Sequence, residues 1–128
     1  MKRIFISIFL TFFSLIVRAE FVNTYTDANE KNWVDTTSIE GTGNLRRIYE
    51  IRNFRTIQSP KPGFEHLSKM HVYEFNCKDK TFKVLMTVAF EKHQGAGRPI
   101  FKDDIPTPNY MPVRSGGSVS EAMRITCK

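Results

Sequence analysis

Two cysteines, Cys77 and Cys127, are the only ones in the chain, and the second lies one residue from the C-terminus. If their sulfurs join, the tail is pinned to whatever element carries Cys77. That element reads as a strand. From Lys69 to Cys77, the residues His71, Tyr73, Phe75 and Cys77 alternate with Met70, Val72, Glu74 and Asn76, the period-two pattern of a pleated strand. Lys78-Asp79-Lys80 turns the chain, and Thr81 to Glu91 returns with Phe82, Val84, Met86, Val88 and Phe90 expected on one face. Each fully buried side chain of that stripe contributes roughly 1.5 to 3 kcal/mol, so it is the expected sheet core.

The chemistry of the bridge depends on the compartment, and the N-terminus speaks to that. Lys2 and Arg3 precede an apolar run of about 14 residues, Ile4 to Val17, followed by Val17-Arg18-Ala19. This is the layout of a secretory signal peptide over residues 1–19, with cleavage before Glu20. A spanning helix needs ~20 apolar residues, so the run is short for a permanent membrane anchor. No cysteine lies near the cleavage point to carry a lipid. An export signal with two cysteines implies an oxidising compartment and one disulfide. The competing reading, a reactive thiol, requires an electropositive and partly exposed site, and no motif here supplies one.

Cleavage leaves residues 20–128, the length of one small domain. It also removes Lys2, Arg3 and Arg18, so 16 of the 19 basic residues face all 13 acids and the net charge falls from +6 to +3. That balance suits an anionic partner such as polysaccharide or a membrane surface, and equally an ordinary soluble surface.

Along the mature chain, Glu20 to Tyr25 opens as a strand and Thr26-Asp27-Ala28-Asn29 turns. Trp33 to Asp35 is a second short extended piece, after which Asp35 is placed to cap a single helical turn through Ile39. Leu45 to Phe54 is a strand with Leu45, Arg47, Tyr49, Ile51 and Asn53 on one face and Arg46, Ile48, Glu50, Arg52 and Phe54 on the other. The first face is the more apolar at its centre. Ser59-Pro60-Lys61-Pro62-Gly63 breaks any ladder and reads as an exposed loop. Arg98 to Lys102 is a short edge strand, and Pro99, Pro106, Pro108 and Pro112 hold an extended crossing segment. After Gly116-Gly117, the spacing Ser118-Val119-Ser120-Glu121 predicts a capping box and a terminal helix. Val119, Ala122, Met123, Thr126 and Cys127 share one face of it. Cys77, Tyr73 and Phe75 share a strand face, so that face is the one the helix is expected to cover.

No constellation for catalysis assembles from the sequence. The histidines His66, His71 and His93 have no recognised metal-ligand spacing, and no phosphate loop, nucleophile elbow or His-Glu metal motif occurs. Asp103-Asp104 reads as a solvated pair. The expectation is a non-enzyme without catalytic residues, metal or cofactor. Arg46, Arg52, Lys78, Lys80 and Lys83 are candidates for a basic binding face. Export directs the chain away from cytoplasmic nucleic acid, so no nucleic-acid partner is expected.

Several separated features line up with a known family. Trp33-Val34-Asp35 with Ser38-Ile39, Arg46-Arg47-Ile48-Tyr49 through Asn53-Phe54, Ser68, Phe75-Asn76-Cys77, Gly95-Ala96-Gly97, Tyr110-Met111-Pro112-Val113, Gly117-Ser118 and Cys127 resemble the surface-adhesin protein E-like family of exported bacterial proteins. The resemblance spans nearly all of residues 20–128. It implies an α+β fold, a single small antiparallel sheet with a C-terminal helix on one face, tethered by the Cys77–Cys127 disulfide. It also implies a surface protein that binds host matrix and plasma proteins. This chain departs from the pattern in lacking an anchoring cysteine and in placing Tyr49 and Tyr110 where the family often has tryptophan. A periplasmic or released protein without a lipid anchor fits as well as a surface-bound one, with the oligomeric state open and a homodimer among the options. The alternative function is a periplasmic accessory protein, or a small-ligand carrier whose site between sheet and helix would draw on Tyr49, His71 and Tyr73.

Overall fold

The alternating stretches pair in sequence order into one antiparallel sheet, and the tail returns across it as a helix. The structure, a computed structural model, describes residues 20–104, 107 and 109–128. The export signal read at residues 1–19 lies outside the described residues, as do Pro106 and Pro108 of the crossing segment. The strands are β1 (Phe21–Thr26), β2 (Glu30–Thr42), β3 (Leu45–Gln58), β4 (His66–Asn76), β5 (Thr81–Phe90), β6 (Pro99–Asp103) and β7 (Met111–Pro112). They lie in the order β1-β2-β3-β4-β5-β6, with β7 also on β5. β6 pairs with Thr87 to Phe90 and β7 with Thr81 and Phe82, so the two share one edge of β5. The helix α1 (Ser118–Thr126) packs against β1, β2 and β3. Among the described residues, no helix is long and apolar enough to cross a membrane.

Turn chemistry explains why the strands stop where they do. Asp27 accepts the backbone N–H groups of Asn29 and Glu30 through one oxygen at 2.7 and 2.8 Å, which closes the β1–β2 hairpin. At the β2–β3 turn Gly41 has φ +110°, and a Cβ there would stand 2.3 Å from the Leu45 carbonyl oxygen, so only glycine fits.

Register decides the layers. Directly opposed residues of an antiparallel ladder share a face. Ile48 opposes Tyr73, which opposes Val84, while Arg46 opposes Phe75, which opposes Phe82. These residues face the helix. The core there is Val34, Ile48, Tyr73, Phe75 and Ala122, each no more than 2 % exposed, with Val119, Met123, Ile125 and both cysteines packed around it. Ala122 is small enough to let the helix backbone approach the rings. Cys77 and Cys127 are bonded, with their Cα atoms 5.6 Å apart. The expected α+β architecture, helix face and tether are therefore those of the structure.

Four local expectations are corrected. Residues 35–39 form no helical turn, because residues 36–39 bulge within β2, opposite Ile48 alone, between the pairs Asp35–Tyr49 and Glu40–Arg47. The Asp35 carboxylate does accept the Thr37 N–H at 2.9 Å, and Ser38 Oγ accepts the Tyr49 N–H at 2.9 Å, so side chains replace the missing ladder bonds. Second, the face of β3 turned to the core is the one with Ile48 and Glu50, both fully buried, rather than the one with Tyr49, which is 40 % exposed. A buried ion pair made that face look solvated. Third, the Phe82-to-Phe90 stripe is split. Tyr73 pairs with Val84 but Val72 pairs with Met86, so Leu85 is an extra residue. The bulge sends Phe82 and Val84 toward the helix and Met86, Val88 and Phe90 to the opposite face.

The fourth correction concerns the helix start. Its N-cap is Gly117, with no side-chain cap, because the Ser118 hydroxyl is used elsewhere and Glu121 pairs with Arg124 instead. The other end is held by Arg46, whose Nη1 donates to the Lys128 carbonyl at 3.0 Å and reaches the Thr126 carbonyl at 3.5 Å. A guanidinium at the carbonyl end of a helix also meets the negative end of its dipole.

The opposite face of the sheet has its own cover. The loop after β5 folds over it, with Ser68 Oγ donating to the Lys92 carbonyl at 2.6 Å and accepting the Gly95 N–H at 3.1 Å. Tyr110 of the crossing segment donates to Glu74 at 2.5 Å, and Arg47 donates to the other oxygen of that carboxylate at 2.9 Å. Those two contacts hold the Glu74 carboxyl below the usual carboxylate range, the tyrosine bond contributing most.

Candidate functional site

A buried carboxylate organises the space between sheet and helix. Glu50 is fully buried at the centre of β3. Its Oε1 accepts the Tyr73 hydroxyl at 2.8 Å and Arg52 Nη2 at 3.2 Å, and its Oε2 accepts the Ser118 hydroxyl at 2.6 Å. A buried charge persists only if it is paired and hydrogen-bonded, and here the β3 cation, a β4 phenol and the first residue of α1 together do this. Thr24 of β1 extends the set, its hydroxyl 3.4 Å from Ser118 Oγ. With its oxygens occupied by three donors, Glu50 is an architectural latch rather than a free base. Burial, followed by the Glu50 charge, raises the Tyr73 phenol well above its ordinary range, so Tyr73 stays a proton donor.

The surface flanking this latch is concave. One cleft of about 670 Å³ opens beside the helix start, with Tyr25, Phe82, Met111 and Val119 as apolar walls and Arg52, Glu30 and Arg114 as charges. A second, of about 450 Å³, lies toward the proline loop and is lined by Arg52, Phe54, Gln58, Ser59, His66, Lys69 and His71. Arg52 lines both.

Positive charge in the second cleft is only partly compensated. Arg52 bonds to Glu50 and has Glu30 Oε2 3.9 Å from its Nε. Lys69 lies over the Phe101 ring at 5.8 Å, and its ammonium is shifted down by burial and by the Arg52 charge. His71 stacks on Tyr73 with ring centroids 5.8 Å apart, and one nitrogen lies 2.8 Å from Thr87 Oγ1. Burial, then the charges of Arg52 and Lys69, push its pKa down to about 3. His71 is therefore neutral when folded and free to protonate when unfolded. The unfolded chain takes up the extra proton below an ordinary histidine pKa of ~6.5, so stability falls with pH between that value and about 3. At ~1.4 kcal/mol per pKa unit, His71 alone makes the fold about 2 kcal/mol less stable at pH 5 than at pH 7. Urea unfolding at the two pH values measures this, and His71→Asn is expected to remove most of the difference.

The residues singled out from the sequence do not converge. Arg46 and Arg52 face the helix, one bonded to its terminal carbonyls and the other to Glu50. Lys83 opposes Glu74 on the other face, with its ammonium 4.5 Å from the Tyr110 ring centroid. Lys78 and Lys80 are exposed on the β4–β5 turn. Of the three residues considered for a site under the helix, His71 and Tyr73 lie on that face. Tyr49 does not, because its odd position in β3 places it opposite Val72 on the other side. Asp103 and Asp104 are exposed, and Asp104 is 3.3 Å from the Lys102 ammonium. Among the described residues no group of three or more His, Cys, Asp or Glu side chains is placed to hold a metal ion.

The residues that sequence reasoning missed are Glu50 and Ser118. Glu50 had one available signal, a carboxylate two positions from an arginine on the same strand face. Ser118 had none, since its spacing to Glu121 suggested the cap it does not form.

Comparison with known proteins agrees with this architecture. A family model described as "Surface-adhesin protein E" matches residues 21–128. Among solved structures, crystal form II of Haemophilus influenzae protein E superposes with a TM-score of 0.67 at 16% sequence identity, covering 87% of this chain and 89% of that one. At that identity the likeness concerns the fold. No curated protein sequence matches.

Proposed function

Because the chain belongs to the surface-adhesin protein E family, we propose that residues 20–128 form an exported, non-enzymatic binding module of the cell envelope whose partner is a host matrix or plasma protein. The observation that carries this reading is the family match over residues 21–128. The signal read at residues 1–19 supplies the route, to the periplasm or beyond it. The fold suits the role physically, because both sheet faces are covered by elements tied down through side chains, leaving turns and edges as the exposed surface. On that surface Lys78 and Lys80 are the candidate contacts, with Lys83 nearby in sequence, whereas Arg46 and Arg52 serve the helix and the buried carboxylate. Rim charges act mainly on association rate and salt dependence.

Surface plasmon resonance of residues 20–128 over immobilised matrix and plasma proteins, with albumin as background, tests the proposal. The expected result is saturable binding to at least one of them, weakened about tenfold by Lys78→Glu with Lys80→Glu. Signals equal to albumin across the panel would remove the adhesive reading. A second reading, a small-ligand carrier, draws on the clefts flanking the Glu50 latch.

A further inference from the structure

We propose that the cleft between the proline loop and β4, lined by Arg52, Gln58, Ser59, His66 and Lys69, binds an acidic sugar, with the carboxylate on the two cations and the ring hydroxyls on Gln58 and Ser59. The inference goes beyond the adhesive reading and does not depend on it.

Charge is the first argument. Among the described residues Lys69 has no carboxylate partner, and Arg52, paired with Glu50 at 3.2 Å and Glu30 at 3.9 Å, makes its side-chain hydrogen bonds, to Glu50 and Tyr73, through Nη2. A guanidinium has five N–H donors and an ammonium three, so both retain donors for an anion. Lys69 is shifted down first by burial and then by the Arg52 charge, and a bound anion would relieve that second contribution. The site is recessed, and water screens a recessed charge less than one on a convex surface.

The remaining lining argues for a sugar rather than a bare anion. Gln58 and Ser59 each offer both a donor and an acceptor, as hydroxylated ligands require. The Gln58 amide nitrogen is already bonded to the Thr56 carbonyl at 3.0 Å, which fixes its orientation. His66 is 2 % exposed, with one ring nitrogen 2.8 Å from the Phe64 carbonyl. Its Nε2 has no hydrogen-bond partner among the described residues. The carbonyl can only accept, so Nδ1 donates to it and fixes the ring behind the cleft lining. Sulfate supplies no donor to the acceptor oxygens of Gln58 and Ser59, whereas a sugar hydroxyl does. Phe54 lends an apolar ring surface to the same lining, and a volume of about 450 Å³ is ample for one hexuronic acid.

Isothermal titration of residues 20–128 with glucuronate, with glucose and with inorganic sulfate tests this. Glucuronate is expected to bind at least about tenfold more tightly than either comparator, since each lacks one half of the recognition. Lys69→Gln is expected to weaken glucuronate binding about tenfold, while Arg114→Gln, in the other cleft, leaves it unchanged. Amide chemical shifts of the unmodified protein locate the site without relying on a variant, and the largest changes are expected at Gln58, Ser59 and Lys69. Sulfate binding as tightly as glucuronate, shifts elsewhere, or no heat from glucuronate would each overturn the proposal. Since only small molecules are titrated, such a failure leaves the matrix-protein reading standing.

Discussion

Glu50→Ala is expected to cost about 3 to 5 kcal/mol of folding stability, the range for breaking a buried ion pair from one side. The cost has three sources. Arg52, 26 % exposed, keeps its charge but loses its closest counter-ion, and only Glu30 at 3.9 Å remains. The Tyr73 and Ser118 hydroxyls lose their acceptor inside the core, and each unmet group costs ~1 to 3 kcal/mol. A cavity is left beside Ile48 and Val34. Urea unfolding followed by circular dichroism measures the total, and hydrogen exchange at Ser118 to Ala122 reports whether the helix start has come free. Adding Arg52→Met to Glu50→Ala is expected to restore part of the loss by removing the stranded cation, which a simple cavity would not allow. A loss of less than about 1 kcal/mol for Glu50→Ala would place the residue among ordinary substitutions and refute the latch.

This latch also marks the boundary between what the sequence discloses and what it withholds. Strand existence was legible because alternation reports one buried face, and the pairing of Cys77 with Cys127 followed from their being the only two cysteines. The faces were not. On β3 the core side carries Glu50 and Arg52, and a charged pair buried against each other has the same pattern as a pair in water. On β5 a single extra residue at Leu85 reverses the inside and outside of everything after it, and no property of Leu85 itself announces a bulge. At the helix start, Ser118 and Glu121 have the spacing of a reciprocal cap, but Ser118 finds a stronger acceptor in Glu50, a residue 68 positions away. The binding surface was less legible still. Arg46 and Lys83 are both candidates for one basic face by sequence, yet register turns one toward the helix and the other toward Glu74. Long-range partners decide all four cases, and periodicity carries only local information.

Cys127→Ser, or reduction of the intact protein, is expected to lower stability by up to about 4 kcal/mol, the chain-entropy figure for a closed loop of this size, here with a sequence separation of 50. The loss is expected to concentrate in α1. A nine-residue helix is too short to persist in water by propensity alone, so it depends on what holds it. Three attachments would remain: Ala122 in the core, Ser118 on Glu50 at one end, and Arg46 on the terminal carbonyls at the other. Strand content is therefore expected to persist while hydrogen exchange speeds up through Met123 to Lys128. The disulfide and the Glu50 latch grip opposite ends of the same helix, so Glu50→Ala with Cys127→Ser is expected to cost measurably less than the two single losses together. Once one end is free, the other has less ordered structure to hold. Full additivity would mean that the helix does not transmit strain between its ends, and equal melting with and without reductant would mean that the tether adds nothing to the folded state.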